Sequence, residues 1–237
     1  MYKFPSPLPQ LCLLAFLSLA ASAEAGVMIN PVSDDHWDLS QGSVITSHGP
    51  TLSRFPIQGI FSETGIHPHT LFSDQFTENH VHFVEWQTAA TIDLRSFSLL
   101  AIHDGPPLRD ARYRGFKTFR LFGFDQGSNS FQQLFELTNI PLLYRDVVAQ
   151  PGMFIDRTKN PEVLAFRANI PTFTGNRFRA EFVQYSSIAR GHASGARIWE
   201  MDGFSESFAP PTVPEPTSIL AFLPCGLVLM RRKRSVV

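Results

Sequence analysis

The chain has 237 residues, 43% of them hydrophobic and 17% charged, with 22 Phe against 3 Trp and 4 Tyr. That balance excludes a disordered chain and points to a globular protein with an aromatic-rich core. The formal net charge is −1, and the only dense basic run is at the extreme C-terminus, which argues against a nucleic-acid binder.

The N-terminus carries one early charge, Lys3, then an apolar run from Leu11 to Ala21. It ends in Ala23-Glu24-Ala25, a small-x-small cleavage pattern before Gly26. Residues 1–25 therefore read as a secretory signal peptide handled by the Sec machinery, too short for the ~20 residues that span a bilayer. Cys12 and Cys225 both lie in the terminal apolar segments. The chain between them has no cysteine, so a disulfide framework, a cysteine metal site and a thiol nucleophile are all excluded there.

From Gly26 the texture changes to short β-type segments between turns. Val27 to Ile29 and Trp37 to Leu39 read as first strands. Residues 42–69 are rich in Gly, Pro, Ser and Thr and read as long loops with short strands. Strands are predicted over His80 to Thr88 and over Thr91 to Ile102, followed by a polar loop, His103 to Arg112. Lys117 to Phe124 reads as a strand, Gly127 to Ser130 as a turn and Phe131 to Leu137 as a further strand. Tyr144 to Pro161 reads as irregular; Val163 to Ala168, Phe178 to Tyr185 and Ala196 to Phe204 complete the strands. No window holds a helical period for three turns. The expectation is an all-β domain over 26–204, a β-sandwich of jelly-roll type.

Residues 205–213 are expected to form a proline-rich linker, stiffened by Pro210 and Pro211. Then come Pro214-Glu215-Pro216, an apolar run that predicts a short transmembrane segment over 217–230, and the cluster Arg231, Arg232, Lys233 and Arg234. The span is marginal in length, and the cations behind it hold the C-terminus in the cytoplasm. Between Gly26 and Pro216 there are 15 Lys and Arg against 20 Asp and Glu, so the exported part carries −5 and is mildly acidic.

The tail resembles the PEP-CTERM sorting signal of Gram-negative bacteria. The match rests on Val213-Pro214-Glu215-Pro216, Ser218, the apolar run with Gly226 and the basic cluster, with Pro224 as a departure. The resemblance implies recognition by an inner-membrane exosortase and cleavage near the Pro-Glu-Pro element. It also implies a transient stay in the inner membrane, then the cell surface or extracellular matrix, alongside exopolysaccharide. The middle of the chain resembles the galactose-binding-like jelly roll of discoidin-type domains. Thr91 to Ile102, Phe119 to Gly123 and Arg179 to Tyr185 carry that likeness, with Gly195 to Phe204 as its closing strand. It implies a fold and a general capacity to bind glycans or surfaces.

Two His-x-His pairs, His67/His69 and His80/His82, have strand spacing that places i and i+2 on one face about 7 Å apart, within reach of one metal. The plainer reading is polar loop and strand-edge histidines, and Pro68 makes the first pair a loop. The loop at His103 and Asp104, with Arg109 and Arg112, is the main ligand-binding candidate, because sandwiches present binding groups on end loops and Arg clamps carboxylates bidentately. A solvated loop with local ion pairs is the alternative. Trp37 is a candidate for stacking on a sugar, against the usual reading of a core Trp. Asp34, Asp35 and Asp38 form an acidic cluster. No cofactor is expected, and a structural Ca²⁺ or Zn²⁺ is left open. No nucleophile elbow, zinc-protease helix or phosphate loop is present. The sequence thus predicts a non-enzymatic exported surface or matrix protein that binds an extracellular glycan, such as an extracellular polysaccharide, or another envelope component. The alternative is a carbohydrate-active or metal-dependent enzyme on the same scaffold.

Overall fold

A computed structural model describes residues 34–61, 69–75, 79–103, 114–141, 143–160, 162–185 and 195–209. These belong to one unit, Pro31–Ala209. The signal peptide, the Val27 to Ile29 strand and the whole tail from Pro214 lie outside the described residues. Among the described residues no helix is long and apolar enough to cross a membrane.

The strands are β1 (Val44–His48), β2 (Thr70–Leu71), β3 (Val81–Ile102), β4 (Phe116–Asp125), β5 (Ser130–Leu137), β6 (Met153–Ile155), β7 (Val163–Gln184) and β8 (Arg197–Phe204). Every pairing between them is antiparallel. Two strands organise the rest. β3 and β7 are each 22 residues long and pair with one another over nearly their whole length. The ladder slips where residues 88–91 of β3 stand against Asn176, and again where residues 170–172 of β7 stand against Arg95. Such bulges bend and twist a ribbon, and here they fold it over.

The fold-over yields two layers that share β3 and β7. The first half of β3 and the second half of β7 join β1, β4 and β5. The second half of β3 and the first half of β7 join β8, β2 and β6. Residues alternate inward and outward along each half, and the inward sets meet. Phe97 of one layer packs edge-on against Phe135 of the other at 5.0 Å and lies 5.8 Å from Phe119. Phe119 in turn meets Phe166 at 6.1 Å. The result is an all-β, jelly-roll sandwich with a phenylalanine core, as the composition requires. The fold-over also gives it two unlike ends. One is closed by the bent ribbon and the β4–β5 turn. At the other, the free ends of β3, β4, β7 and β8 come together.

Three expectations are corrected. Residues 80–88 and 91–102 are one strand and not two, as are 163–168 and 178–185, because the intervening polar residues bend the chain without ending its pairing. Trp37 to Leu39 is not a strand. Leu39–Gln41 is a 3₁₀ turn capped by the Asp38 carboxylate, which accepts from Ser40 N at 2.6 Å, and closed by Gly42 at φ 89°. The irregular stretch after Tyr144 contains β6, a third partner along β7. In addition, residues 205–209 lie on the second layer. Ser96 Oγ donates to Glu206 O at 2.6 Å, and the Asn169 amide pairs both ways with the Phe208 backbone at 2.6 and 2.8 Å. The domain therefore continues to Ala209, past the expected boundary at Phe204.

Candidate functional site

The open end is built around Asp74. Its Oδ1 accepts from Arg114 Nη1 and from Gly195 N, both at 3.2 Å. Arg114 O accepts from Arg197 N at 2.8 Å, so the segment entering β4 is tied to β8. Gln184, at the end of β7, donates from Nε2 to Gln75 O at 2.8 Å, and its backbone N donates to His80 O. His103, just past β3, is buried, donates its backbone N–H to Glu162 O and sits edge-on to Tyr144 at 5.0 Å. Tyr185 anchors the far side, its hydroxyl shared between Ile140 O and Pro141 O at 2.7 and 2.8 Å. Burial pushes both phenols, Tyr144 and Tyr185, above the ordinary tyrosine range.

These contacts bring Asp74, Gln75, His80, Arg114, Gln184 and Gly195 together at one end of the sandwich, so the described segments on either side of residues 76–78, 104–113 and 186–194 start and finish there. The Arg114–Asp74 pair is mostly shielded, with side chains 10% and 28% exposed. An ion pair in that setting holds its geometry better than an exposed one. The loop sequences between the stems include Asp104, Arg109, Arg112, Arg190 and His192.

The other predicted site residues are placed differently. Trp37 is fully buried and corrects the expectation of a sugar platform. Its indole fills the closed end between Trp86, Phe61, Phe97 and Phe178, at centroid distances of 4.8 to 6.5 Å. It lies so close over Gly203 that a Cβ there would come within 2.3 Å of the ring. His82 is also fully buried. Its Nε2 meets Gln184 Oε1 at 2.9 Å, and since that amide already donates to Gln75 O, Nε2 carries the proton. Burial drives its pKa down to about 4, against the hydrogen bond it donates to Gln184, so the ring is neutral. Phe72 stacks on it at 5.0 Å and His80 meets it edge-on at 4.7 Å. His69 stacks on Phe55 at 4.4 Å. His67, Asp104, Arg109 and Arg112 lie outside the described residues. Among the described residues no three His, Cys, Asp or Glu side chains converge as metal ligands.

The acidic cluster is likewise committed elsewhere. Asp35 is buried and accepts from Trp37 N at 2.9 Å and Gly203 N at 2.8 Å, fastening the N-terminal segment to β8. Burial, with the nearby Asp202 carboxylate, raises its pKa to about 7. Sequence reading noticed Asp35 only as one of an acidic cluster and did not foresee the part that Asp35 or Asp74 plays in the fold. The local pattern does not mark that part, because one partner of each, Gly203 for Asp35 and Gly195 for Asp74, is 168 and 121 residues away.

No protein-family model matches the sequence, and no curated protein does. Solved structures do show similarity. A family 32 carbohydrate-binding module from Streptococcus pneumoniae EndoD superposes with a TM-score of 0.45 at 12% identity, covering 73% of this chain and 99% of that one. A CBM32 from a family 31 glycoside hydrolase of Clostridium perfringens gives 0.49 at 9% identity, over 71% and 94%. The family 32 module of C. perfringens NanJ, solved with galactose, gives 0.47 at 8% identity, over 72% and 98%.

Proposed function

We propose that this is an exported, non-enzymatic surface or matrix protein whose jelly-roll domain binds an extracellular glycan through the loops of the open rim. His103 forms the stem of that site. Asp104, Arg109 and Arg112 contact the ligand. The observation that carries the reading is the Asp74 hub, which gathers three polar loop stems at one end of a rigid sandwich. Binding without turnover fits the state of the displaced titratable groups. Among the described residues, Asp35 and His82, whose pKa values burial displaces, are sealed in the interior and engaged with the protein's own groups.

The terminal segments supply the address. Residues 1–25, with cleavage read by Ala23 and Ala25, route the chain through Sec. Pro214, Glu215, Pro216 and the Arg231 to Arg234 cluster route it to an exosortase and then to the surface of a Gram-negative cell. The test is a glycan array probed with the full chain, with and without chelator, followed by size analysis of the retained glycans. Retention unchanged by chelator, with no shortening, is expected. Shortened products that disappear with chelator would overturn the reading in favour of a metal-dependent hydrolase.

A further inference from the structure

The outward face of the first layer is unusual for a solvated sheet, whose outer side is ordinarily polar. It carries Phe83, Phe122, Phe124 and Phe131, all half-buried, interleaved with arginines. The register arranges them in transverse rows. One row runs Phe83, Glu181, Arg120, Glu136, and the next runs Glu85, Arg179, Phe122, Gln133. In these two rows each arginine is held by carboxylates. Arg120 pairs with Glu136 at 2.7 Å and Glu181 at 3.6 Å, and Arg179 with Glu85 at 2.8 Å and Glu181 at 2.9 Å.

The third row, nearest the closed end, is different. In register it runs Val44, Gln87, Arg177, continues through a cation–ring contact to Phe124 and its partner Phe131, and contains no acid. The Arg177 guanidinium lies 4.2 Å from the centroid of Phe124 and 6.0 Å from that of Phe131. The two rings meet edge-on at 5.3 Å. Among the described residues the Arg177 side chain has no carboxylate or hydrogen-bond partner. Val44, at the far end of the row, is 55% exposed and is one of two large hydrophobic side chains so exposed among the described residues.

Contact with Phe124 restrains the guanidinium without using its N–H donors, so they remain able to take a carboxylate bidentately at lower entropic cost. Beside it, Phe131 offers an aromatic edge and face, and Gln87 an amide. We propose that this row is a second binding site, at the opposite end of the sandwich from the open rim, for a sugar acid of an extracellular polysaccharide. The uronate carboxylate sits on Arg177, the pyranose ring lies against Phe131, and Gln87 hydrogen-bonds a hydroxyl. The carboxylate requirement comes from Arg177 itself; the choice of a sugar to carry it rests on the glycan-binding reading above.

The probes are polygalacturonate, its carboxyl-reduced neutral counterpart and poly-L-glutamate, titrated against the full chain. The variants are Arg177→Gln and Arg177→Lys, with Arg145→Gln as a control that removes an equal charge from a site 59% exposed elsewhere. Wild-type protein binds polygalacturonate, and the reduced polymer at least tenfold more weakly. Arg177→Gln loses about tenfold or more, as expected for a charge-assisted pair. Arg177→Lys loses less, and Arg145→Gln changes nothing. Equal weakening by Arg177→Gln and Arg145→Gln would reduce the effect to net charge and overturn the site. Neutral glycan bound without preference for the uronate would overturn the site while leaving glycan binding at the rim intact. Poly-L-glutamate bound as tightly, in an Arg177-dependent way and with no glycan bound, would overturn the sugar assignment and the glycan-binding reading together.

Discussion

Replacing Asp35 with Asn should stabilise the domain at neutral and alkaline pH and do little in acid. In the folded chain the Asp35 pKa stands near 7, against 3.8 for a free aspartate. A carboxyl whose pKa rises on folding contributes most to stability below its unfolded value, and that contribution is lost as pH rises towards the folded value. Wild-type stability should therefore decline from about pH 4 to pH 7 through this group and level off above. With 1.36 kcal/mol per pH unit, the full loss is about 4 kcal/mol as an upper bound. Asn keeps the Oδ1 acceptor that Trp37 N and Gly203 N need, carries no charge, and escapes the repulsion from Asp202. Local relaxation and water entry will shrink the gain, to about 1–2 kcal/mol. For a domain of this size that is several degrees in Tm. The assay is thermal or urea unfolding of both proteins between pH 4 and pH 8.5, read as their difference so that other titrating groups cancel. A difference independent of pH, or a variant less stable than wild type at pH 8, would refute the argument.

His82 should act with the opposite sign. Its folded pKa near 4 lies below the free value of 6.5, so its contribution is complete above about pH 6.5 and is lost as pH falls through 4; a His82→Gln variant should flatten the acid limb of the unfolding curve. Gly203→Ala should cost about 1–3 kcal/mol or more, measured by urea unfolding, because the fully buried Trp37 ring leaves no room for a Cβ. Asn169→Ala should free residues 205–209, seen as faster amide exchange at Phe208, at a cost of about 1 kcal/mol in stability. Asp74→Ala should leave the core intact yet speed amide exchange at Gly195 and weaken glycan retention, since it cuts the stems of two loops at once.

Much of the scaffold was legible in the residues. Strands β4 and β5 followed from alternating Phe and Leu around a Gly-Ser-Asn turn, and the structure places them within a residue of the expected ends. The all-β character followed from the absence of any sustained helical period. The continuity of β3 and β7 was not legible. Thr88 to Thr91, and Pro171 with Gly175, carry the polar and breaker residues that end strands in most settings. Here they form bulges, because the paired strand alongside keeps both segments in one ladder. Burial of Trp37 was also beyond a local reading. Its pocket is made by Trp86, Phe97, Phe178 and Gly203, brought together only when the ribbon folds over. The histidine pairs illustrate a limit of spacing. A pair at i and i+2 does not distinguish a metal from another partner, and His82 meets the side chain of Gln184, 102 residues away.

The account turns on the open rim as the place where glycan is held. The direct test is a binding isotherm for the strongest array glycan, comparing the full chain with an Asp104→Ala/Arg109→Ala/Arg112→Ala variant of unchanged Tm. A loss of at least tenfold in affinity is the predicted result. Undiminished binding by the triple variant would contradict it.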